Sequence, residues 1–118
     1  MRRRAFLVSV AATVALTSPV SAHAMLAHAE PAVGATVHAP VTVLRLRFTE
    51  RIEPALCRMT LVHDGRERAL ENLVVEGDGR VLTAHVPALA AGAYTVRWRA
   101  VSVDTHVTEG DYSFAVAP

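Results

Sequence analysis

Apolar and basic side chains alternate through Leu44-Arg45-Leu46-Arg47-Phe48, the period-two pattern of a strand with one buried and one solvated face. The alternation is clearest after Gly92, where Tyr94, Val96 and Trp98 point one way and Thr95, Arg97 and Arg99 the other. Tyr112, Phe114 and Val116 repeat it near the C-terminus. Shorter runs predict strands at Cys57 to Val62, Leu70 to Val75 and Val81 to Val86. Asp64-Gly65 is a hairpin signal between the first two, and Gly77-Asp78-Gly79 turns the chain before the third. No long helical period is present; a short helical turn is expected near Pro54 or at Leu89 to Ala91. Strands at roughly ten-residue spacing predict an all-β fold, an immunoglobulin-like antiparallel β-sandwich of about seven strands. Trp98 is its expected core anchor.

The first residues follow another pattern. Arg2, Arg3 and Arg4 precede an apolar run from Ala5 to Leu16, and Val20-Ser21-Ala22 ends in the small residues that signal peptidase reads. Residues 1–22 are therefore expected to be a cleaved signal peptide, and 23–118 a single domain. The apolar run is too short to span a bilayer, so no membrane insertion is expected after cleavage. Arg3-Arg4-Ala5-Phe6-Leu7 also fits a twin-arginine signal, which exports folded chains; an ordinary leader is the alternative. Either route leads out of the cytoplasm.

Removing the leader changes the charge. Of twelve basic residues nine remain, all arginine, against eleven acids, a formal −2 in place of +1. No basic patch is left to suggest nucleic acid as a partner. Cys57 is the only cysteine, so no internal disulfide can form, and it reads as a small buried hydrophobe.

The candidate chemistry begins at the cut. Cleavage after Ala22 leaves His23 first, with a free α-amine and an imidazole on one Cα. Both nitrogens titrate near neutrality and close a chelate ring on one metal ion. The overlapping Ala22-His23-Ala24 offers a second cut that would discard this residue. Far downstream, Asp104-Thr105-His106 places a carboxylate and an imidazole two positions apart, on one side of an extended segment. Asp-x-His alone is a common loop pairing and means little. Joined to His23 it makes a nitrogen-rich tetragonal set that suits Cu(II), one ion per chain. Met25 and Met59 are the only methionines beyond the initiator, too few for a dedicated Cu(I) site. His28, His38, His63 and His85 read as ordinary strand or loop histidines.

The run Tyr94-Thr95-Val96-Arg97-Trp98-Arg99-Ala100-Val101-Ser102-Val103-Asp104-Thr105-His106 resembles the signature of the CopC family of bacterial periplasmic copper-resistance proteins. His23-Ala24-x-Leu26 followed by Pro31-Ala32-x-Gly34 is similar to that family's mature start, and Gly110, Ser113 and Phe114 fall where its last strand begins. The resemblance covers essentially the whole mature chain. It implies a cupredoxin-like or immunoglobulin-like sandwich, a Greek-key barrel, that binds one Cu(II) in the periplasm. His23, Asp104 and His106 match the family's ligands. Phe48-Thr49-Glu50 matches an element whose glutamate lies at or near the Cu(II) site in some members, which makes Glu50 a further candidate. Some members carry a methionine-rich Cu(I) loop where this chain has His63-Asp64-Gly65-Arg66-Glu67-Arg68, so the chain resembles the Cu(II)-only branch.

The leading expectation is a monomeric, non-enzymatic copper carrier or buffer serving copper resistance and homeostasis. By family resemblance it passes copper to a CopD-like inner-membrane protein. The N-terminal histidine also resembles the copper brace of polysaccharide monooxygenases, an enzymatic alternative. Against that stand Asp104, which occupies space oxygen needs, and an aromatic content of only 5%, too low for a sugar-binding face. A metal-free interaction sandwich is the third reading.

Overall fold

The computed structural model describes residues 26–118. The expected leader, His23 and Met25 lie outside the described residues. Among the described residues, nine strands form two facing sheets: β1 (Leu26–Glu30), β2 (Thr36–Val37), β3 (Val43–Phe48), β4 (Arg58–His63), β5 (Arg66–Ala69), β6 (Val74–Glu76), β7 (Val81–His85), β8 (Gly92–Val101) and β9 (Val107–Val116). One sheet has the order β1-β3-β7-β6 and the other β2-β9-β8-β4-β5. All named pairings are antiparallel except β2 with β9. The number of strands exceeds the expected seven because β2 is too short for alternation to reveal it and β5 carries no apolar pattern.

The alternating stretches bury as their pattern requires. Leu44, Leu46 and Phe48 of β3 face Met59, Leu61, Tyr94, Val96, Trp98, Tyr112 and Phe114 across the layers, all in one buried cluster. Phe48 meets Trp98 edge to face, with ring centroids 5.4 Å apart. Trp98 lies opposite Gly110 in the β8–β9 register, and a Cβ at 110 would sit 2.6 Å from the indole Cζ2. Glycine is therefore required there for its missing side chain. The outward Arg45 and Arg47 pair with Glu30, Glu76 and Asp78 on the solvated face.

Two expected elements differ. Leu70 to Val75 is not one strand: Asp64-Gly65 turns β4 directly into β5, whose Arg66-Glu67-Arg68-Ala69 stretch carries no apolar pattern. Backbone pairing with β4 and the Glu67–Arg97 ion pair hold it, while Leu70 and Leu73 pack against the core from the crossover that follows. The helical turn occurs at Pro54–Leu56 as a 3₁₀ turn, and residues 89–91 are not helical.

Candidate metal centre

Antiparallel β8 and β9 pair until Val101 faces Val107, and residues 102–106 close the hairpin between them. Inside it Ser102 N donates to His106 O (2.9 Å) and Thr105 N to Ser102 O (2.9 Å). Thr105 adopts the left-handed region at φ 73°, which Thr rarely enters. Asp104 and His106 thus sit on a tight loop, not on an extended segment. Loop closure, rather than strand alternation, brings Asp104 Oδ1 to 3.4 Å from His106 Nδ1.

Ser102 organises the loop. It is buried, its hydroxyl donates to Asp104 Oδ1, and Ser102 Oγ in turn accepts His106 N–H at 3.1 Å. The Ser102 hydrogen bond, followed by the neighbouring His106, holds the Asp104 carboxyl below its ordinary pKa. Asp104 is exposed and stays ionised as a ready anionic donor.

Glu50 arrives from the other sheet. After β3 the chain bends, and residues 51–53 zip onto the end of β8. Ile52 bridges to Ser102, Val103 N donates to Arg51 O (2.9 Å), and Glu53 N donates to Val101 O (2.9 Å). This seam sets Glu50 beside the loop. One ligand atom from each of Glu50, Asp104 and His106 lies within 4.8 Å of the others, the one such group among the described residues. Ligands on opposite sides of an ion, each about 2 Å from it, stand roughly 4 Å apart. An upper bound of 4.8 Å on the separations is compatible with such a set. Two carboxylates and one imidazole accept a borderline divalent ion, and Cu(II) binds such donors more tightly than its first-row neighbours.

The remaining candidates separate. His28, His38 and His85 are exposed and join no such group, and His63 stacks on Tyr94 at the opposite end of β8. Cys57 is buried beside the seam, its thiol donating to Glu53 O at 3.1 Å, and burial raises its pKa. That keeps it protonated. His23 falls outside the described residues, but β1 begins at Leu26 opposite Phe48, two residues before Glu50. Ser102 is the functional residue that sequence reasoning missed. It stands in the motif between Trp98 and Asp104, yet a serine so placed looks like any loop serine until its hydroxyl is seen to serve both neighbours.

Comparison with known proteins finds relatives across almost all of the described residues. Residues 26–117 match the family model described as the CopC domain. The chain is 36% identical over 118 residues to copper resistance protein C of Xanthomonas campestris pv. juglandis, covering 92% of this chain and 91% of that protein. It is 33% identical over 114 residues to protein YobA of Escherichia coli K12, covering 94% and 92%. Among solved structures, CopC from Methylosinus trichosporium OB3b superposes with a TM-score of 0.72 at 32% identity, over 80% of this chain and 93% of that one. PcoC, a methionine-rich copper resistance protein from Escherichia coli, gives a TM-score of 0.65 at 26% identity, over 78% and 96%.

Proposed function

The chain belongs to the CopC family of copper-resistance proteins, and from that premise we propose that it is a periplasmic carrier that takes up one Cu(II) as cargo. The convergence of Glu50 and the Asp104–His106 loop carries this reading. Asp104, held ionised by Ser102, and Glu50 supply negative charge, while His106 supplies one nitrogen. The α-amine and imidazole of His23, freed by removal of residues 1–22, supply two more. Leu26 stands beside Phe48, two residues before Glu50, and a three-residue step spans up to about 10 Å, so a chain beginning at His23 is long enough to reach Glu50.

Three features suit carriage rather than catalysis. The Asp104–His106 loop is exposed, the proposed ligand set as a whole comes from separate segments, and one arm of it is a chain end, so ligands can leave one at a time. Two carboxylates beside the imidazoles fill positions that an oxygen-activating copper leaves open. Handover to a CopD-like membrane protein and a monomeric state complete the reading.

Equilibrium dialysis of protein starting at His23 tests it, with electron paramagnetic resonance of the Cu(II) form. One tightly held ion with several nitrogen couplings is expected. No stoichiometric retention would leave the metal-free reading standing, and ascorbate-driven peroxide formation by the loaded protein would favour the enzymatic one. A chain with one extra residue before His23 should bind much more weakly; equal binding removes the amine.

A further inference from the structure

The inner face of β5 is open. Pairing sets His63 opposite Arg66 and Leu61 opposite Arg68, so both guanidiniums lie on the side of the sheet that carries buried Leu61. Yet all four residues of β5 are exposed, so the facing sheet leaves that strand uncovered. Between β5 and the segment 87–90 lies a cleft of about 480 Å³, with Leu61, His63, Arg66, Arg68, Leu89 and Tyr94 among its walls. That volume falls within the range of small-molecule sites.

The walls are pinned in place. Leu89 N donates to Val41 O (3.1 Å), Val86 N to Thr42 O (2.9 Å) and the Tyr94 hydroxyl to Ala90 O (2.7 Å). His63 stacks on Tyr94 with centroids 4.2 Å apart, and its Nδ1 bonds Ala93 O at 2.8 Å. The nearby acids are paired with residues other than the two arginines: Glu67, which also lines the cleft, with Arg97, and Asp64 with His63 Nε2 at 3.3 Å. Arg66 and Arg68 make no ion pair among the described residues. Two guanidiniums over an apolar floor match a carboxylate attached to a short apolar body, since Arg takes carboxylates bidentately.

We propose that this cleft is a binding site for small amphipathic carboxylates, independent of the metal centre. Along β8 the cleft residue Tyr94 and Val101, beside the metal-site loop, are seven residues apart, about 23 Å.

Titration of the mature protein with 3-phenylpropionate, followed by amide NMR and calorimetry, tests the assignment. Saturable shifts at His63, Arg66, Arg68 and Tyr94 are expected, with contacts from the phenyl ring to Leu89 and Tyr94. 3-Phenylpropanol should bind at least about tenfold more weakly, as should the acid to the R66Q/R68Q protein, because each loses a charge-assisted bond. Copper stoichiometry should be unchanged in that variant, and its spectrum outside β5 shows whether it is folded. Absence of saturable shifts, or equal binding of acid and alcohol, overturns the proposal. Equal or tighter binding of inorganic phosphate overturns the apolar part of it. Self-association of the variant without probe binding by the native protein also overturns it, assigning the arginines instead to protection of an edge strand.

Discussion

The carboxylate of Glu50 and the imidazole of His106 come within 4.8 Å of each other although they follow strands of different sheets in distant parts of the chain. The seam from Arg51 to Glu53 along Val101 to Val103 enforces that approach. If Glu50 is a ligand, E50Q should weaken Cu(II) binding by roughly tenfold while leaving the protein folded, and H106A should weaken it by more than about a hundredfold. Competition titration against a small chelator measures both. An E50Q protein that binds normally would make Glu50 a bystander.

Ser102 should matter almost as much without touching the metal. S102A frees Asp104 to rotate and leaves His106 N–H without its side-chain acceptor. A loss of about ten- to hundredfold in copper affinity is expected. Asp104 should also titrate closer to the ordinary aspartate value, which carboxyl-carbon NMR of the metal-free protein reads directly.

The pH dependence of copper binding has a defined origin. Asp104 has its pKa lowered chiefly by Ser102, so its charge is present above the ordinary aspartate range and is lost only as pH falls through the depressed folded value. Between pH 7 and 5 it therefore stays ionised. Affinity should nevertheless fall steeply in that window, because protons compete for the imidazole and amine nitrogens. A flat profile from pH 7 to 5 would contradict nitrogen ligation.

Tyr112 buries its hydroxyl with no hydrogen-bond partner among the described residues, and burial drives its pKa well above the ordinary tyrosine value. Y112F should stabilise the fold by about 1 kcal/mol at pH 7, seen in urea unfolding, because a desolvated hydroxyl is removed. A raised folded pKa means stability is complete below the unfolded value, about 10, and declines as pH rises past it. The phenylalanine variant should lose less stability there. The buried Cys57 thiol, also raised, should resist alkylation at pH 8 until the protein unfolds.

G110A tests the packing of the core anchor. Its new methyl would meet the Trp98 ring at 2.6 Å, inside any tolerated contact, with both residues held by the β8–β9 ladder. A loss of about 1–3 kcal/mol is expected from such overpacking, with a changed tryptophan fluorescence.

The sequence by itself determined the strands that alternate, because a side chain's face follows from parity alone: Leu44, Leu46 and Phe48, and then Tyr94, Val96 and Trp98, are buried as read. It also carried the Asp64-Gly65 hairpin and the Asp104–His106 pair, whose spacing is local. Tertiary structure decided the rest. Polar β5 is a strand only because β4 offers it an edge, and Leu70 to Val75 divides because the chain must cross between sheets there. Asp104 and His106 converge through a left-handed Thr105 and the Ser102 hydroxyl, neither of which leaves a periodic trace. Glu50 joins them through backbone bonds between segments far apart in the chain. Such contacts depend on register between strands, which a linear pattern of side chains does not specify.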